Sequence, residues 1–112
     1  MHVVFRESHG LEETEVPTDL GQLPADLVVL SFSDSDLGAF AEGWHAAAGA
    51  LPPLRLAPLA ALRHPVSVDT YLERTLGGAK AVLIRLIGGE GYWPYGLASV
   101  QDLARRRGIA LA

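Results

Sequence analysis

Residues 88–96 gather the types that could do chemistry: Gly88-Gly89-Glu90-Gly91, then Tyr92-Trp93-Pro94-Tyr95-Gly96. A glycine run ahead of a helix can cradle a phosphate, because bare backbone N–H groups approach the anion closely. This run matches neither G-x-G-x-x-G opening directly into a helix nor G-x-x-x-x-G-K-[ST], and no lysine follows it. Tyr92, Trp93 and Tyr95 also set rings where a phosphate needs access. Those features favour the other reading, a tight turn carrying packed aromatics. His64 is the second candidate. Pro65 holds its backbone extended, and at a strand end its imidazole could bind a metal or move a proton. A solvated or hydrogen-bonded histidine is the plainer reading. Arg85 is the third. It stands inside an apolar run, where its planar fork could face a carboxylate-bearing ligand, mark the strand's exposed face, or pair with an acid such as Asp69 or Glu73.

Several chemistries are excluded or disfavoured. The chain has no cysteine, which removes disulfides, thiolate metal sites and Cys nucleophiles. The histidines His2, His9, His45 and His64 form no i, i+4 pair, so no metal site is expected from this segment alone. Asp34 follows an apolar run as a phosphoacceptor would, but the accompanying acidic pair and lysine are missing, and it reads as a helix cap. G-x-S-x-G is absent, which argues against a serine hydrolase.

The elements that must position these residues follow from periodicity. Val3 to Arg6 is a short β-type run, and Glu7 to Asp26 is a connector without helical or alternating period. Leu27 to Phe32 is a continuous apolar strand. Asp34 or Ser35 can cap a helix whose inward stripe is Leu37, Phe40, Ala41, Trp44, Ala47 and Ala48, ended by Gly49 and Pro52-Pro53. Leu54 to Ala57 is a third strand, and Leu62 to Pro65 a turn. Ser67 caps a helix with Val68, Tyr71, Leu72, Thr75 and Leu76 inward, closed by Gly77-Gly78. Ala81 to Ile87 is a fourth strand. Pro94 to Arg107 is a helix with Leu97, Val100, Leu103 and Ala104 inward. Arg105 to Arg107 suit its negative dipole end and Gly108 its cap. Ile109 to Ala112 starts another strand. This alternation predicts an α/β fold: one domain over 1–112, a small three-layer, mostly parallel open sheet of flavodoxin or Rossmann type, with helices on its faces. In such sheets ligands collect beyond the carboxyl ends of the strands. That edge would gather Ser8, His9, Ser33, Asp34, Arg63, His64 and Gly88 to Trp93.

The bulk properties agree with one small domain. The 112 residues are 49% hydrophobic and 20% charged, a composition that can fill a core. A net charge of -4 provides no footprint for nucleic acid or an anionic membrane. The start lacks a signal peptide's basic and apolar regions, and no run approaches the roughly 20 apolar residues that span a bilayer. The expected compartment is the cytoplasm. A sequence that stops on a bare strand start is expected to be a fragment of a longer chain.

Three blocks resemble the N-terminal region of the cobaltochelatase large subunit of CobN type, a relative of the magnesium chelatase H subunit. They are Asp19 to Asp26, Arg63-His64-Pro65-Val66-Ser67-Val68-Asp69-Thr70-Tyr71-Leu72-Glu73-Arg74-Thr75, and Val82 to Gly96. With their spacing they cover nearly the whole chain. The resemblance implies a ligase that forms metal–nitrogen bonds, inserting cobalt into hydrogenobyrinic acid a,c-diamide in aerobic cobalamin biosynthesis. It implies cobalt and ATP for the full complex, with ATP bound by an AAA+ partner that works with a companion chelatase subunit. The large subunit would hold the corrin and the metal. It is far longer than this chain, which is expected to bind no cofactor of its own and to carry no complete active site. Within the segment, His64, Arg85, Gly88, Gly89, Tyr92, Trp93 and Tyr95 are the candidates for a ligand-facing or packing edge. A free-standing α/β module for a small anionic or nucleotide-like ligand is the alternative.

Overall fold

The computed structural model describes residues 17–112. The expected strand Val3–Arg6 and the residues His2, Ser8 and His9 lie outside them. Pro17 to Asp26 carry no helix or strand. Four strands follow: β1 (Leu27–Ser31), β2 (Leu54–Pro58), β3 (Ala81–Arg85) and β4 (Ala110–Leu111). They pair in parallel, in the order β2-β1-β3-β4. Leu27 lies between Leu54 and Ala81, and Ser31 between Pro58 and Arg85. Three α-helices alternate with them: α1 (Asp34–Ala46), α2 (Pro65–Arg74) and α3 (Pro94–Arg107). The architecture is the small parallel α/β sheet that the alternation predicts.

Residue parity divides the two faces of the sheet. Val28, Leu30, Ala57 and Val82 enter one core with Val68 and Tyr71 of α2 and with Val100, Leu103 and Ala104 of α3. Leu30 is fully buried there, and burial of a leucine stabilises by about 1.5–3 kcal/mol. The opposite face carries α1, which packs on β1 and β2. The expected stripe of α1 is turned inward only in part. Leu37, Phe40, Ala41, Trp44 and Ala47 are half-buried, Ala48 is exposed, and no residue of the helix is fully buried. The outer edge of β2 is covered by the connector. Gln22 Nε2 donates to the Leu56 carbonyl (2.9 Å), which occupies an acceptor that would otherwise help template another strand, and Arg55 Nε donates to the Leu23 carbonyl (2.9 Å), holding the connector there.

Two helix starts differ from expectation. Ser33 caps α1, not Asp34 or Ser35: its Oγ accepts from the Asp36 N–H at 3.2 Å. His64 caps α2, not Ser67: its Nδ1 accepts from the Val66 N–H at 3.1 Å. Pro65 is the cause, since its fixed φ and missing N–H suit the first helical position. Ser67 falls inside the helix, buried, with its Oγ accepting from the Thr18 N–H at 2.6 Å. Strand β3 also stops sooner, at Arg85 instead of Ile87, because the Leu86 carbonyl already closes a turn with the Gly89 N–H. The end of α3 is as expected. Gly108 adopts φ 68° in the left-handed region that glycine tolerates, and the chain turns into β4 beside β3.

Candidate functional site

The carboxyl ends of the strands bring the candidate residues to one edge. The sheet changes direction between β1 and β3, because β1 leads leftward to β2 while β3 leads rightward to β4. Such a crevice is where open α/β sheets hold ligands. Here it is filled from within. Asp36, in the first turn of α1, accepts from Arg85 Nε at 2.9 Å and from the buried Ser31 hydroxyl at 3.1 Å. Ser31 Oγ in turn accepts from the Ser33 N–H at 3.0 Å. The Arg85 guanidinium, followed by the Ser31 hydroxyl, holds the Asp36 carboxyl below the usual carboxylate range. Arg85 thus pairs with Asp36 and not with Asp69 or Glu73. It shares the parity of Ser31, so it projects on the α1 face, whereas α2 lies on the other. An anion approaching the start of α1 meets two acids, Asp34 and Asp36, and an arginine already engaged.

The glycine–aromatic loop is a strap. Gly88 and Gly89 both lie at positive φ, 96° and 94°, which only glycine adopts readily. The Tyr92 ring rests on Gly88, where a Cβ would overlap it, and the Trp93 ring rests in the same way on Gly96. Trp93 is 3% exposed, and its indole N–H donates to the Leu62 carbonyl at 2.9 Å. That bond ties the loop to the short 3₁₀ turn Leu59–Leu62 after β2. The Tyr95 hydroxyl donates to Asp69 Oδ1 at 2.7 Å, joining the start of α3 to α2. The hydrogen bond to Asp69 raises the Tyr95 phenol above its usual range.

Tyr92 and Tyr95 remain exposed, 61% and 46%, and with Arg63 they border a shallow hollow of about 330 Å³. The Arg63 guanidinium sits 5.1 Å from the Phe32 ring centre, a cation–π distance. The hollow could seat a planar group bearing a carboxylate, with rings beside it and a guanidinium fork to meet the charge. His64 is adjacent in sequence, but its Nδ1 is committed to the α2 cap. Gly88 and Gly89 shape the turn and hold Tyr92, and Trp93 acts from the core. Among the described residues, no three His, Asp or Glu side chains converge as a metal site, and no helix is long and apolar enough to cross a membrane.

Sequence reasoning missed Ser31, Asp36 and the contact of Asp69 with Tyr95. The Ser33-x-x-Asp36 spacing ahead of an apolar helix is a capping signal and would have found Asp36. Arg63 was placed at the edge, but nothing local marks its stacking on Phe32.

The chain is 38% identical over 104 residues to the aerobic cobaltochelatase subunit CobN of a Sinorhizobium species, covering 93% of this chain and 8% of that protein. It is 37% identical over 111 residues to the subunit of the same name in Pseudomonas aeruginosa, covering 99% and 9% respectively. The chain therefore spans less than a tenth of the length of these curated relatives. No protein-family profile matches it, and no solved structure does.

Proposed function

From a chain related to CobN-type cobaltochelatase subunits along nearly all of its length, we propose a non-catalytic α/β domain at the N-terminal end of such a large subunit. The whole protein then inserts cobalt into hydrogenobyrinic acid a,c-diamide in aerobic cobalamin synthesis. ATP hydrolysis by an AAA+ partner and its companion subunit drives the step, in the cytoplasm. The observation that carries this reading is the similarity over 93–99% of the chain.

The described residues favour a supporting role for this domain. Insertion requires bases that take the pyrrole N–H protons and ligands that strip water from the metal ion. His64 Nδ1 is occupied by a helix cap. Asp36 is held as a weak base by Arg85 and Ser31, and Asp69 is engaged by Tyr95. The proton and metal chemistry then belongs to other parts of the large subunit. This domain packs on that body, with Tyr92, Tyr95 and Arg63 as its most ligand-like surface. The alternative of a free-standing anion-binding module loses support from the acid-filled crevice.

The test is cobalt insertion by the full-length subunit with its ATPase partner, followed by the corrin absorption spectrum. Insertion dependent on ATP is expected. An inert complete assembly overturns the family activity. His64→Asn, which keeps a capping side chain at the start of α2, should change the rate by less than about tenfold, since a general acid or base typically contributes 10²–10⁴-fold. A loss of that larger size would place chemistry in this domain.

A further inference from the structure

The two faces of the sheet are unequally covered. Helices α2 and α3 seal one face. On the other, α1 is the one helix among the described residues, lying over β1 and β2 with none of its residues fully buried. Beside it a groove of about 600 Å³ runs over β3 and β4. Phe40 and Trp44 wall it, and Leu83, Ala81, Ala110 and Ala112 floor it; among the described residues no charged side chain lines it. All-parallel sheets are almost always covered on both faces. The alanines leave room for a helix about 10 Å across to come close.

Right-handed crossovers limit what can lie there. The steps from β2 to β3 and from β3 to β4 run in one direction and carry α2 and α3 on one face. The step from β1 to β2 runs the other way and carries α1 on the opposite face. A helix in the groove that connects two strands of this sheet therefore belongs to chain travelling back toward β1. A small ligand fits poorly, because no convergent polar groups would orient it. A second copy would set the same concave groove against this one, which is not self-complementary. Thr18 is tied to Ser67 on the α2 side, so the first described residues lie on the other face.

We propose that this groove seats an amphipathic helix from the remainder of the same large subunit, lying alongside α1. The proposal rests on the chelatase reading above. Its physical support is the bare apolar face, together with relatives of whose length this chain covers only 8–9%.

The test places single cysteines in the full-length subunit; the 112-residue segment contributes none of its own. Gly43→Cys reports the groove, and Gly38→Cys a position on α1 that does not line it. A Cβ at either meets nothing within 4 Å. Ala39→Cys, also on the groove wall, is a second reporter should the first disturb docking. With a water-soluble maleimide, the groove thiols should label at least about tenfold slower than that at position 38, as protection by a packed element requires. A cross-linker attached at position 43 should join a segment beyond residue 112 of the same polypeptide, identified by mass spectrometry. Equal labelling rates would overturn the proposal, as would cross-links to residues 1–16, to a second copy or to the ATPase partner. Cobalt insertion by the same variants is read separately. An active enzyme with an open groove rejects only the helix, and a protected groove in an inert assembly rejects only the chelatase reading.

Discussion

Trp93 shows how a conspicuous side chain can serve the core. Its ring is buried and its N–H is spent on the Leu62 carbonyl. Trp93→Phe keeps an aromatic filling but leaves that carbonyl unpaired, a cost of about 1–3 kcal/mol. Trp93→Ala also opens a cavity and should cost about 3–5 kcal/mol. Denaturant unfolding of the two variants measures both, and equal losses would remove the hydrogen bond from the account. Asp36 makes a pH prediction. Its folded pKa lies below the unfolded value, so its contribution to stability is complete above about pH 4 and is lost as pH falls through the folded value. Asp36→Asn should therefore flatten the acid limb of the stability curve. An unchanged slope would show that Asp36 does not govern that limb. At this scale the sequence was only partly legible. The loop glycines announce a turn by their type alone. Asp36, Ser31 and Arg85 meet through the register of β1 against β3, which no local pattern encodes.

The elements were read well where a hydrophobic period runs for several turns, as in α3, or where an apolar run is bounded by turn residues, as in β1. Their ends were read less well. His64 is a poorer cap by type than Ser67, yet Pro65 decides the start of α2 by its own geometry. In the strap between β3 and α3, Gly88 and Gly96 are needed for different reasons. Gly88 needs both its positive φ and its bare Cα, whereas Gly96 needs only the bare Cα beneath Trp93. Gly96→Ala should therefore cost about 1–3 kcal/mol by overpacking. Gly91→Ala, two residues before Trp93 with open space around it and no positive φ, should be neutral or stabilising by about 0.4–1 kcal/mol. Melting temperatures of the pair give the comparison. A harmless Gly96→Ala would mean the ring can slide away.

For the whole molecule, the parallel α/β sheet followed from alternation, while its strand order and the uneven cover of its faces did not. The stripe of α1 has the spacing of a core helix, and only the sheet beneath it shows how little of that stripe is sealed. The same sheet order carries a consequence for design. The crevice between β1 and β3 already contains a buried hydroxyl and a guanidinium beside the start of α1, and one carboxylate accepts from both. Asp36→Gly removes that internal counter-ion and frees Arg85 to meet a guest. The variant should acquire sulfate or phosphate binding in the millimolar range, worth about 4 kcal/mol, seen as a rise in thermal stability with added anion that the parent lacks. No such rise would mean that Asp34 alone is enough to repel the ion. In this light Asp36 acts as a plug in a socket of the chain's own making.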